Sequence, residues 1–220
     1  MSPWVMVAVV FVVGFFLVFG RRIAGLLLLR SAARATLSDI GQRALMKQPD
    51  TITLSRLSDP GWKDAAAIAA LAQPLLAAGF SDCGAYSIDK MPGVKVRMLF
   101  QDDTAVAAHL YEHAQAGLWV ELVTRYDGGS SYSASTLPAT GIELPPWVKI
   151  IRSPGTPAGE LYQRLLHERS SVAIHRITRH DVVREFEEGY LRQMIWMKNK
   201  GISPEEVAAV VKKWARGKGA

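Results

Sequence analysis

The chain has one cysteine, Cys83, in 220 residues. A lone cysteine closes no internal disulfide, so the fold is not a small stapled scaffold, and the usage fits a reducing compartment. Residues 3–20 have no charged side chain at all. Gly-x-x-x-x-Gly-Lys-Ser/Thr, Gly-x-Gly-x-x-Gly and Cys-x-x-Cys are missing, which leaves bound-nucleotide and zinc-ribbon readings without support. Ser130 and Ser131 follow two glycines, but no Gly-x-Ser-x-Gly elbow surrounds them, and they sit at a hairpin return. Internal repeats and low-complexity tracts are absent too.

Hydrophobic residues make up 49% of the chain and charged residues 21%, close to a globular average. The mean hydropathy of +0.10 is raised by the first thirty residues. Net charge is +6. Residues 1–50 hold six basic and two acidic residues, and residues 160–220 hold twelve basic and eight acidic. The excess therefore lies behind the apolar run and at the C-terminus. Basic charge beside a membrane span attracts anionic headgroups.

Eighteen uncharged residues, at 1.5 Å each, span roughly 27 Å, close to the hydrocarbon thickness. Residues 1–22 are therefore expected to be a transmembrane anchor, with Trp4 at one headgroup level and Arg21 and Arg22 at the other. A cleaved signal peptide needs basic residues before the run and a small-residue site after it; here the order is reversed. The arginines point to a single-pass protein of the cell membrane, with its N-terminus outside and its C-terminal domain cytoplasmic. Residues 23–47 read as a basic amphipathic juxtamembrane helix, with Arg30 and Arg34 also at the headgroups.

Residues 48–220 are expected to form an α+β domain. Residues 47–59 are a linker or a short strand. Asp59-Pro60-Gly61 opens a helix over 60–78, with Asp59 as its cap. Alternation over 94–101 and 118–126 marks half-buried strands, and Asp127-Gly128 is a hairpin turn. An antiparallel sheet of about five strands is predicted over 84–152. Helices follow over 156–169, 180–199 and 203–216, the last two as a C-terminal helical hairpin. Ser203-Pro204-Glu205-Glu206 is the clearest helix start in the chain.

His109-Leu-Tyr-Glu112-His113 matches the inverted zinc-protease signature. On a helix both imidazoles would share a face and reach one metal. On a strand, positions four apart lie about 13 Å from each other and cannot. Residues 105–113 are bounded by strand signals on both sides, so the hairpin is preferred, and no cofactor or metal is expected. His167, His175 and His180 read as surface or cap residues, and Cys83 as a bystander thiol. Basic residues around Trp214, namely Lys212, Lys213, Arg216 and Lys218, offer a nucleic-acid reading, set aside because Trp214 falls on an apolar stripe with Val207, Val210 and Val211. Tyr126, Tyr132, Trp147 and Trp119 are candidate linings of a ligand pocket.

The leading expectation is a non-enzymatic domain at the cytoplasmic membrane face. Its partners are anionic headgroups and a protein. The alternatives are a metal-dependent hydrolase using His109, Glu112 and His113, or a small-ligand-binding domain.

Overall fold

The computed structural model describes residues 34–113 and 116–217. The expected anchor, with Trp4, Arg21, Arg22 and Arg30, lies outside these residues. In chain order the elements are α1 (34–46), β1 (Leu54–Leu57), α2 (Ala65–Ala77), β2 (Ser81–Ile88), β3 (Val94–Gln101), β4 (Val106–His113), β5 (Gly117–Arg125), β6 (Ser131–Ser135), β7 (Val148–Arg152), α3 (Ala158–Glu168), α4 (Val182–Lys200) and α5 (Pro204–Gly217). Among the described residues the protein is α+β, with five helices and one mixed sheet of seven strands. Among the described residues no helix is long and apolar enough to cross a membrane. The chain divides into two compact units, 48–200 and the segments on either side of it.

In the unit 48–200 the strands lie in sequence order, β1 to β7. The expected five antiparallel strands are corrected in two ways. The sheet begins with β1, an edge strand paired to β2 from Leu54 opposite Ile88 to Leu57 opposite Ala85. It ends with β7, which runs parallel to β6, Ser131 opposite Val148. A tight turn cannot join parallel neighbours. The segment carrying Pro138, Pro145 and Pro146 is long enough to carry the chain back to the start of the next strand.

The local start of α2 also differs from expectation. Its cap is Asp64, whose Oδ1 accepts the Ala67 N–H at 2.9 Å, while Asp59 only turns the chain by accepting from Gly61. Glu112 decides this from across the fold. Its two carboxyl oxygens accept the N–H groups of Lys63 and Asp64, both at 3.1 Å, and so set where the helix begins. Pro74 sits inside α2 without ending it. Gly79 ends it in a left-handed conformation, φ +87°, with Gly79 and Phe80 donating back to Leu76 and Leu75.

The two faces of the sheet are packed differently. Leu99, Leu110, Val120 and Leu122 meet α2 and α3, which contribute Leu75, Leu161 and Leu165. All seven are fully buried. Truncating such a leucine to alanine costs about 2–5 kcal/mol. The opposite face carries Val96, Met98 and Phe100 at one end, under Val182 and Phe186 of α4. Toward β5–β7 its side chains turn polar, and that change creates the site described below.

The other unit holds α1 and α5. The reciprocal cap at Ser203 forms as expected: Ser203 N–H donates to Glu206 Oε2 at 2.8 Å, and Glu206 N–H to Ser203 Oγ at 3.2 Å. Gly41 lets the helices approach, since a Cβ there would lie 2.7 Å from Val207 Cγ2. Arg34 pairs with Glu205 at 3.4 Å on the surface. Of the expected α5 stripe, Val207 is buried, whereas Val211 is 56% exposed. The side chain of Trp214 lies outside the described residues.

Candidate functional site

Residues 106–113 form a strand, and this separates the members of the His-x-x-Glu-His motif. His109 and His113 point to the α4 side of the sheet, about 13 Å apart along β4. Glu112 points to the α2 side and caps that helix, with Lys95 Nζ 3.8 Å away. His113 Nδ1 accepts the Ala116 N–H. Among the described residues no group of three His, Cys, Asp or Glu side chains converges on a metal position.

The chemistry instead gathers under α4. Ladder register sets Met98, His109, Glu121, Ser135 and Arg152 side by side across β3 to β7. The adjacent rows place Val123 beside Ser133 and Arg125 beside Ser131. Directly opposed side chains on neighbouring strands have Cβ atoms about 4.5–5.5 Å apart. Polar groups thus follow one another across β4 to β7 on a sheet face that is apolar at its β3 end.

A cleft of about 180 Å³ opens between these strands and α4. Its floor is His109, Glu121 and Ser133. Tyr111, Phe186 and Tyr190 wall it, and Trp147 and Arg192 stand at the mouth. Each wall is fixed from outside. Phe186 meets the His109 ring edge-on at 4.9 Å. The Tyr190 hydroxyl donates to the Pro49 carbonyl at 2.9 Å. Arg192 donates to the Gly129 carbonyl at 2.5 Å and lies 4.5 Å from the centre of the Trp147 ring.

Two floor residues are electrostatically unusual. His109 is 6% exposed, and its Nε2 is buried with no hydrogen-bond partner. Burial first, and the nearby Arg125 second, push its pKa down to about 3, so the imidazole is neutral. Glu121 opens to the cleft but is walled by protein elsewhere. Burial raises its pKa, while Arg152 and Arg125 partly offset the rise. Its carboxyl forms no hydrogen bond or ion pair with the described residues.

Arg125 does not supply that partner, because it is held on the other side. Its Nη2 donates to the Glu185 carbonyl at 2.6 Å, and its Nε lies 3.4 Å from the Glu185 carboxyl. Gly189 makes room for this guanidinium; an added Cβ would collide with Arg125 Nη2. Leaving a buried polar atom unpaired costs about 1–3 kcal/mol. The Glu121 carboxyl, which lines the cleft without a partner among the described residues, is therefore set to receive hydrogen bonds from something outside the chain, while the His109 Nε2 beside it is closed off from solvent.

The remaining sequence candidates disperse. Trp147 lines the cleft, and Trp119 stacks on Tyr111 at 4.6 Å beside it. Tyr132 is on the opposite face, donating to Glu168 at 3.2 Å, and Tyr126 accepts the Ser170 N–H at 3.0 Å beyond the end of β5. His167 and His180 are exposed, and His175 lies 3.4 Å from Asp127 at the surface. The Cys83 pKa is pushed up to about 11, by burial first and Asp82 second, so its thiol is protonated. Lys212 is exposed.

Sequence reasoning singled out His109 for the wrong pattern and passed over Glu121, Arg125, Arg152, Arg192 and Gly189. One signal was available. Glu121 and Arg125 share one side of β5 with Trp119 and Val123, a mixed charged and apolar stripe on a strand expected to be half-buried. Comparison of the chain with family models, with curated proteins and with solved structures finds no match in any of the three.

Proposed function

We propose that the unit 48–200 is a small-ligand-binding domain, carried at the cytoplasmic face of a membrane by the apolar segment that precedes it. The observation that carries the reading is the Glu121 carboxyl, without a partner among the described residues and on the lining of the cleft, next to His109, whose Nε2 is buried and unpartnered. A sheet face with no binding role would gain stability by placing apolar side chains there. The membrane part rests on residues 3–20 and on Arg21 and Arg22.

The test uses the full chain in nonionic micelles. Melting temperature is followed against short carboxylates, short amines, amino acids, glucose and adenosine. A ligand of the folded state raises the midpoint in proportion to its occupancy. Saturable stabilisation by one class is expected, and Gln193→Trp, which fills the cleft from α4, should abolish it. No saturable stabilisation by any class, or stabilisation indifferent to Gln193→Trp, removes the reading.

A second reading, a docking surface for a protein partner, is favoured by one feature. Ile195 is 54% exposed, beside Trp196, which meets Trp147 edge-on at 6.3 Å. A cross-linked partner lost on Ile195→Glu, with the fold intact, would support it.

A further inference from the structure

We propose that the cleft takes a small molecule of zero net charge with a charged group at each end, of the amino-acid type, bound with its nitrogen at Glu121 and its acid group at Arg192. The proposal rests on the ligand-binding reading above and names the chemistry of the ligand.

Three observations lead to it. The first is charge balance. The charged residues among those lining the cleft are Glu121, Arg125 and Arg192, and Arg125 is already committed to Glu185. That leaves one charge of each sign, Glu121 and Arg192. A ligand with net charge would leave one unit uncompensated in a partly enclosed space, which is strongly unfavourable. A bipolar ligand adds none.

The second is the placing of the opposite charges. Glu121 is on β5 at the floor, and Arg192 is exposed on α4 at the mouth. A cationic nitrogen at the floor has the Glu121 carboxylate as its acceptor. At the mouth, Arg192 uses Nη1 on Gly129 and presents its remaining N–H groups to an incoming carboxylate. Its stack on Trp147 holds the guanidinium plane in place.

The third is size. The cleft measures about 180 Å³. That is well below the volume of a drug-sized pocket, about 300–1,000 Å³, and suits a molecule of a few heavy atoms. The aromatic walls Tyr111 and Tyr190 fit a short methylene chain between its poles.

The experiment titrates the full chain in micelles with glycine, β-alanine and γ-aminobutyrate, and with butylammonium and butyrate as single-pole controls. Binding is read by calorimetry. At least one of the three amino acids is expected to bind at least tenfold more tightly than either control. Glu121→Gln should weaken that amino acid at least tenfold. Arg192→Ala should weaken it several-fold, and Arg192→Lys should recover part of the loss. Equal or tighter binding of butyrate or butylammonium overturns the bipolar assignment and leaves a ligand site in place. So does binding confined to glucose or adenosine and sensitive to Gln193→Trp. No binding by any of these probes overturns both readings. Near-ultraviolet circular dichroism of each variant checks that the fold is kept, and the unchanged affinity expected of Glu187→Gln, a fold-supporting carboxylate outside the cleft, checks that loss is specific to Glu121.

Discussion

Replacing His109 by Phe should change how stability depends on pH, and its sign follows from the burial of the imidazole. The ring is 6% exposed, with a pKa lowered from 6.5 to about 3. The unfolded chain therefore binds a proton near pH 6.5 that the folded chain refuses. The stability from keeping this ring neutral is fully present above pH 6.5 and is lost as the pH falls toward 3. At 1.36 kcal/mol per unit, the loss runs at about 1.4 kcal/mol per pH unit, with an upper bound on the order of 5 kcal/mol. Phenylalanine keeps the edge-on contact with Phe186 and removes the unpartnered nitrogen. At pH 7.5 the variant should match or exceed the parent by about 1–3 kcal/mol. At pH 5 its advantage should be about 2 kcal/mol larger, because only the parent has a histidine to protonate at this position. Glu121 acts with the opposite sign, its raised pKa favouring the folded state at low pH, but it is present in both proteins and largely cancels in the difference. Urea unfolding of the full chain in micelles, followed by tryptophan fluorescence from pH 8 to 5, gives both stabilities. A difference that stays constant across that range would refute the argument, because it would mean that His109 titrates alike in folded and unfolded chains.

Glu112→Gln should lower stability by about 1–3 kcal/mol, since the carboxylate accepts two backbone N–H groups ahead of α2; a melting shift indistinguishable from zero would show that the start of α2 is set locally instead. Gly189→Ala should also destabilise, by about 1–3 kcal/mol, because the new methyl displaces Arg125 from Glu185, and combining it with Arg125→Met should recover part of the loss in a double-mutant cycle. Ser203→Ala should cost about 1 kcal/mol through the lost reciprocal cap, read as increased hydrogen exchange at Glu206. Protease applied outside intact cells should leave the domain whole, as Arg21 and Arg22 hold it on the cytoplasmic side; digestion with no leakage would reverse the orientation.

The sequence by itself determined what depends on neighbours in the chain. The alternation over 94–101 gives β3, Asp127-Gly128 gives the turn before β6, and Ser203 with Glu206 gives the start of α5. It also favoured a hairpin over a helix for residues 105–113, because strand signals flank them on both sides, and β4 does pair with β5. In each case the interaction spans a few residues or follows from a period, so one chain suffices to read it. Partners far apart in sequence were settled only by tertiary structure. The seat of α2 depends on Glu112, nearly fifty residues away. β1 exists as a strand because β2 offers it an edge, and β7 runs parallel because a proline-bearing loop returns it beside β6. The cleft belongs to the same class. His109, Glu121, Ser135 and Arg152 are ordinary residues on four strands until the register aligns them, and Gly189 looks like a weak point in a helix until Arg125 lies beneath it. A period of two says which side chains share a face; only the completed sheet, with α4 laid over it, says which of them meet and which are left without a partner.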